Sequence, residues 1–280
     1  MVRSYRFAIN KEDDLIDLSN KIITTKKQNL IHQLIKVLRY SKDDENAENG
    51  VSLHAHNDIE LIDGFSRNIY QVKLLTKIGS KILKKLDFEI VSVKQSPREL
   101  DTYVNFYVPI IKNENFELML RKLCELGVQE FTPVFFKFSQ KKYLRKLKEH
   151  SYHERILKII ESATEQCEGA VFAKLNPVIS FEDLIRLNQK VDKDTIKLFG
   201  SERLSLSEAL GEDDKDVENG VVPSSLGLRK ASLLIGPEGG LSIEEVEALE
   251  KLDFKGVSLG RRILRAETAA VVLFTKLGLI

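Results

Sequence analysis

The stretch LLIGPEGGLSIEEVEAL, residues 233–249, constrains the fold more than any other part of the chain. Leu233, Leu234 and Ile235 form a short aliphatic run that turn residues end at once, the pattern of a strand buried on both faces of a parallel sheet. Ser242 with Glu245 fits the S-x-x-E capping box, and Leu241 with Val246 supplies a hydrophobic staple, so a helix starts directly after the loop. Open α/β sheets bind ligands where such a strand gives way to such a helix. Glycines at 236, 239 and 240 let backbone groups approach a ligand with no side chain in the way. The loop is not G-x-G-x-x-G and lacks the Gly-Lys-Ser/Thr of a phosphate loop, so its natural guest is neither a pyrophosphate nor a triphosphate. A tight strand-to-helix turn without a ligand would read the same locally.

The pattern around this stretch agrees. From YVNFYVPII onward, apolar runs (FTPVFF, IKLFG, ASLLIG, GVSLG) alternate with helical segments such as FELMLRKLCELG and YHERILKIIESATEQC, which predicts an α/β domain with a parallel sheet. Ser151 with Glu154 fits a second capping box. The first ninety or so residues read differently. Short strand-like runs (RSYRFAI, VSLHAH, IELIDG, IYQVKLL) are interrupted by one helix with Leu30, Leu34, Val37 and Leu38 on its apolar stripe, which predicts a small barrel or sandwich. The break falls near VKQSPREL. Residues 211–227, acidic and punctuated by glycine and proline, are expected to be a mobile insertion.

Composition narrows the function classes. No window approaches the roughly 18 uninterrupted apolar residues of a membrane span, and MVRSYRFAINKEDD has no apolar run of a secretory signal, so a cytoplasmic protein is expected. Cys124 and Cys167, the two cysteines, make neither a disulfide framework nor a zinc site; both are expected in the core, and no metal is expected. The net charge of +1 hides segregation. Lys137 to Lys158 carries eight Lys/Arg against two Glu, whereas Glu208 to Glu218 carries six acids against Lys215 alone, so nucleic acid remains a possible partner.

A second constellation, GVSLGRRILRAETAAVVLFTKL, repeats the design. A short strand ends in Gly260, and a turn with Arg261, Arg262 and Arg265 leads into a helix that is apolar on nearly all sides, hence buried in the fold or in a subunit contact. Three arginines beside a ligand loop favour contact with an anion or RNA over a solvated basic edge.

Together, LLIGPEGGLSIEEVE and VSLGRRILRAETAA resemble the signature of RsmE-type methyltransferases, SPOUT-superfamily enzymes that methylate a uridine N3 in small-subunit (16S) ribosomal RNA. FELMLRKLCELGVQEFTPV is similar to that family's helix-ELG-strand unit and ESATEQC to its Glu-Gln helix, while RSYRFAI and HQLIKVLR resemble its PUA-like RNA-binding barrel. The resemblance implies a PUA-like barrel over residues 1–95 and a SPOUT methyltransferase domain with a C-terminal trefoil knot over 96–280, an exception to the rule that chains avoid threading.

It further implies S-adenosylmethionine as cofactor, bound by Leu198, Phe199 and Gly200, by Ile235, Gly236, Pro237, Glu238, Gly239 and Gly240, and by Ser258, Leu259, Gly260, Ile263, Leu264 and Thr268. Arg265 is the candidate to stabilise the uridine anion, and Glu267 could receive the proton, hold Arg265 or cap the helix. Candidate RNA contacts are Arg3, Arg6, Arg39, Lys141, Lys142, Arg145 and Arg262. A homodimer is expected, since SPOUT-like knots generally complete their sites across a subunit contact. Two features depart from the family pattern. Phe138 precedes Ser139 where an arginine is usual, and Cys167, Glu168, Gly169 and Ala170 stand where a small residue, glycine and arginine are usual. They leave a second reading, a degenerate methyltransferase that binds ribosomal RNA without modifying it. A third, a Rossmann-type nucleotide enzyme, lacks its G-x-G-x-x-G.

Overall fold

Leu233 and Leu234, adjacent in one strand, point into cores on opposite faces of a sheet, which is why the aliphatic run has no polar interruption. The computed structural model describes residues 5–9, 14–40, 59–76, 84–189, 195–201 and 230–278, with the side chains of Tyr5 and of residues 35–40 outside the described part. The expected strand in VSLHAH, the insertion at 211–227, Arg3 and the side chains of Val37, Leu38 and Arg39 all lie outside it. The chain divides into two units, Met1–Glu99 with Thr164–Val171, and Leu100–Ala163 with Phe172–Ile280. No described helix is long and apolar enough to cross a membrane.

The first unit contains β1 (Tyr5–Ala8), β2 (Asp14–Asp17), β3 (Ile22–Thr25), α1 (Gln28–Tyr40), β4 (Ile59–Ile62), β5 (Asn68–Leu74) and β6 (Leu86–Gln95). They form one sheet in the order β1-β4-β5-β6-β3-β2, antiparallel except where β1 runs parallel to β4. A register shift between Gln71 and Val72 bends the long β5–β6 ladder. Leu86, Phe88 and Ile90 alternate inward along β6 and meet Leu30, Ile31 and Leu34 of α1. The sheet is the PUA-like barrel-type sheet that the sequence leads one to expect.

The second unit is built on parallel strands. In chain order it has β7 (Tyr103–Pro109), α2 (Asn113–Glu125), β8 (Glu130–Phe135), α3 (Lys141–Leu147) and α4 (His150–Gln166), whose last turn groups with the first unit. β9 (Lys174–Leu175), β10 (Ile179–Ser180), α5 (Phe181–Asn188), β11 (Thr195–Ser201), β12 (Lys230–Leu234), α6 (Ile243–Glu250), β13 (Lys255–Ser258) and α7 (Ala266–Thr275) follow. The sheet order is β10-β8-β7-β12-β11-β13, with β9 beside β8 and every pair parallel. Helices α2, α4 and α7 cover one face through Leu120, Ile156 and Leu273, and α5 and α6 cover the other through Leu184 and Leu249. β12 inserts between β7 and β11, so the sheet is not laid down in chain order. The link from β11 to β12, residues 202–229, lies outside the described residues.

Two expectations need correction, and one open alternative is decided. Helix α4 begins at His150, so Ser151 is inside the helix and cannot serve as its N-cap. Cys124 is buried as expected, but Cys167 is half-buried on the turn after α4, where its thiol lies 3.5 Å from the Thr164 carbonyl. The C-terminal helix spans 266–275 and is largely covered within its own unit, with Ala270, Leu273 and Phe274 buried in the core. Its apolar character thus needs no subunit contact to explain it.

Candidate functional site

β12, β11 and β13 are parallel neighbours, so their carboxyl ends come to the same edge of the sheet, and the three loops that leave them converge there. Between the loops and the first turn of α7 lies a cavity of about 300 Å3. Aliphatic side chains (Ile235, Leu241, Val246, Leu259 and Leu264) and the backbone of Gly236 to Gly240 form most of its wall, with Glu238 and Arg265 as charged groups. The 237–240 turn is closed by the Gly240 N–H donating to the Pro237 carbonyl at 2.8 Å, and Gly240 has φ +73°, a conformation that side chains rarely adopt. A Cβ at Gly200 would stand 2.5 Å from Ile235 Cδ1 and 2.8 Å from Leu259 Cδ1, so the strand and the two loops pack at glycine distance. The loop is held from behind by the expected capping box. Ser242 Oγ accepts from the Glu245 N–H at 3.3 Å, Glu245 Oε2 accepts from the Ser242 N–H at 2.8 Å, and Leu241 and Val246 pack in one cluster.

The chemistry of this wall suits a ligand with a flat apolar part and hydrogen-bonding edges, and offers no lysine of the phosphate-loop kind. Eleven of the fifteen residues expected at a cofactor line the cavity, from Phe199 and Gly200 through the whole 235–240 loop to Leu259, Ile263 and Leu264. Leu198 and Ser258 do not, and Thr268 is exposed on α7. Gly260, with φ +110°, borders a smaller hollow of about 60 Å3 with Arg261 and Arg262. Ser201, within the 198–202 stretch expected at the cofactor, also lines the larger cavity, whereas sequence reasoning missed Leu241, Val246, Ala266 and Ala269. Small residues at the start of α7 were the available signal for the last two, since a helix end can border a cavity closely only with short side chains. Arg265 is the N-cap residue of α7, exposed, with no side-chain capping bond, and it lines the cavity. Glu267, half-buried in the first turn, does not.

Residues 98–278 match the sequence profile of the RNA methyltransferase domain family. The chain belongs to that family. The resemblance to RsmE-type enzymes recurs among its relatives. Ribosomal RNA small subunit methyltransferase E of Mesomycoplasma hyopneumoniae is 29% identical over 67% of this chain and 74% of its own length. The protein of the same name from Bacillus subtilis is 28% identical over 85% of this chain and 83% of its own. A solved structure of ribosomal RNA small subunit methyltransferase E from Neisseria gonorrhoeae, bound to S-adenosyl methionine, superposes with a TM-score of 0.69 at 22% identity, covering 98% of this chain and 96% of that one. The fold is the SPOUT-type α/β arrangement with a PUA-like sheet before it.

Both departures from the RsmE pattern lie on turns tied by side chains from elsewhere in the chain. Arg6, expected at the RNA, is buried instead. Its guanidinium bonds Glu60 Oε2 (Nε at 3.1 Å) and the carbonyls of Glu168 and Gly169, and only 6% of its side chain is exposed. Burial alone would push the Glu60 carboxyl up, but Lys94 and Arg6 outweigh it and hold that group below its ordinary range. A cation from β1 thus supports the 168–169 turn, while Glu168, at φ +59°, pairs with exposed Arg98. The other position, Phe138, lies on the turn after β8, whose Lys137 N–H donates to Glu245 Oε1 at 2.8 Å. Lys137 Nζ also pairs with Glu244 at 3.2 Å, and Glu244's own backbone N–H, the Ser242 hydroxyl and Lys137 bring that carboxyl down to about 2. Lys141, Lys142 and Arg145 follow on α3, all exposed, with Lys142 Nζ 4.7 Å from the centre of the Tyr143 ring.

Proposed function

We propose that this chain transfers a methyl group from S-adenosylmethionine to N3 of a uridine in small-subunit ribosomal RNA, in the cytoplasm. The cavity of about 300 Å3 at the carboxyl ends of β11, β12 and β13 carries the reading. Its aliphatic walls suit adenine, the backbone of the 236–240 loop suits the ribose and amino-acid edges, and a cofactor without phosphate has no need of a phosphate-binding lysine. When bound, the cofactor supplies an electrophilic methyl group. The protein's own task is to position the base and to ease loss of the N3 proton. Methylation at N3 would require the N3 proton to leave, to a carboxylate of the protein or to water, so the residues beside the cavity would have to accept or steer that proton. The Arg265 guanidinium, on the cavity wall, stabilises negative charge developing on the uracil. Glu267, one helical turn or less away, either takes the proton or orients Arg265.

The test has two arms. Purified protein given methyl-labelled S-adenosylmethionine should label small-subunit ribosomal RNA, and mass spectrometry should find one N3-methyluridine missing from RNA of cells that lack the gene. No label and no missing nucleotide would overturn the enzymatic reading. Cofactor binding and RNA binding without transfer would favour the non-catalytic RNA-binding alternative, which the two missing arginines, one replaced by Phe138 and one absent from the 167–170 turn, motivate.

A further inference from the structure

The turn after β8 carries an aromatic ring that its own unit leaves uncovered. Phe136, at its start, is fully buried. Ser139 closes the turn: its N–H donates to the Phe136 carbonyl and its hydroxyl accepts from the Phe136 N–H, each at 3.0 Å. Buried Glu245 accepts the Lys137 N–H and ties the turn to the start of α6. Between these fixed points Phe138 is 47% exposed. Its Cβ and Cγ stand 2.9 and 3.5 Å from where a Cβ on Gly239 would be, so the root of the ring rests against the loop that walls the cavity. A lone exposed apolar side chain carries no message. This one is held on a well-tied turn beside the cavity loop, with Lys137 Nζ 5.9 Å from its ring centre and the exposed cations of α3 beginning three residues later.

We infer that Phe138 is a stacking platform for a nucleobase of the RNA substrate at the rim of the cavity, an inference that rests on the RNA-methyltransferase reading above. Every base has a π-face, so an aromatic ring can hold one without reading its sequence, while Lys141, Lys142 and Arg145 take the adjacent phosphates. A ring on a turn already fixed loses little freedom when a base settles on it.

The experiment compares Phe138→Ala, Phe138→Leu and Phe138→Trp with the parent, using transcribed small-subunit ribosomal RNA as probe. Ala and Leu should weaken RNA binding by about 5- to 100-fold while Trp stays within about 2-fold, the range that base stacking on an aromatic ring spans. The salt dependence should not change, because no charge is altered. S-adenosylmethionine affinity by calorimetry should match the parent in all three. Leu binding RNA as tightly as the parent would overturn the inference, since the side chain would then serve only as apolar filler against Gly239. So would a loss of cofactor affinity in Leu as large as its loss of RNA affinity, or a change of sedimenting species in Ala, which would make a second copy the occupant of the ring. Failure of the parent itself to bind the RNA would bring down this inference together with the proposed function; a binding parent with unaffected Ala and Leu variants brings down this inference alone.

Discussion

Arg265 lines the cavity from the N-cap of α7 but caps nothing with its side chain, so its charge is available to a ligand. An arginine that acts on the base in the transition state changes rate, whereas one that only grips the cofactor changes binding. Arg265→Ala is expected to lower kcat/KM by about 100-fold or more, the usual cost of losing one donor to a developing anion, with calorimetric cofactor affinity almost unchanged. Equal losses in both would make Arg265 a cofactor ligand. The glycines divide differently from what the sequence alone suggests. Gly239 reads as the natural probe of cofactor approach, yet a side chain there meets Phe138 and would disturb a second element. Gly200 is the cleaner probe, because its Cβ would collide only with the ends of Ile235 and Leu259, both cavity walls. Gly200→Ala should cut S-adenosylmethionine affinity about tenfold or more in calorimetry while circular dichroism stays native; undiminished affinity would remove the cavity from the cofactor site. Backbone shape was legible where a local pattern demanded it, as in the 236–240 turn and its place on the cavity wall. Residue roles were illegible where a distant partner decides, as for Arg6, whose partners Glu60 and Glu168 are far away in sequence.

At the scale of elements, the capping boxes show what local pattern can and cannot tell. Ser242 with Glu245 is a true box because Leu241 and Val246 staple the entry and the following residues can turn inward. Ser151 with Glu154 has the same letters, but the helix already starts at His150 and the pair is internal. Ser180 with Asp183 forms a full box at α5 that a search for glutamate alone passes over. The hairpin β2–β3 hid for another reason: Leu15 and Leu18 are 65% and 61% exposed, so the apolar letters there do not mark the inward face. The parallel strands were easy to see, because burial on both faces leaves uninterrupted aliphatic runs. Glu245 joins two elements, since one carboxylate accepts the N–H groups of Ser242 and Lys137, each at 2.8 Å. Glu245→Gln places an N–H donor against one of them, and should destabilise the protein by about 1–3 kcal/mol, read as a lower urea midpoint at constant m-value. RNA affinity should fall with it, because the turn that carries Phe138 loses its tie; an unchanged midpoint would mean that the carboxylate is dispensable to the fold.

For the whole molecule, a total charge of +1 gives no reason to expect RNA; only the segregation of the charges does. With α7 covered in its own unit, a second copy is proposed only from the SPOUT-like arrangement, and Ile263, 84% exposed beside the cavity, is the side chain chosen to probe it. A dimer is expected by sedimentation at micromolar concentration, and Ile263→Asp should shift it toward monomer; a monomeric parent would end the proposal. Among the candidate RNA contacts, Arg6 is committed to the interior, which leaves α3 as the described element with the densest free basic surface. Lys137 and Lys146 are partly offset by Glu244 and Glu149, whereas Lys141, Lys142 and Arg145 are exposed. Each phosphate contact releases counterions and adds up to about 0.9 to the slope of log affinity against log salt. Lys141→Glu with Lys142→Glu should therefore weaken binding to small-subunit ribosomal RNA and lower that slope by roughly one to two units, in contrast to substitutions of the neutral Phe138. If affinity and slope both stay at parent values, α3 is a solvated helix face, and the phosphate contacts must come from Arg262 beside the cavity or from Arg3 and Arg39 in the N-terminal module.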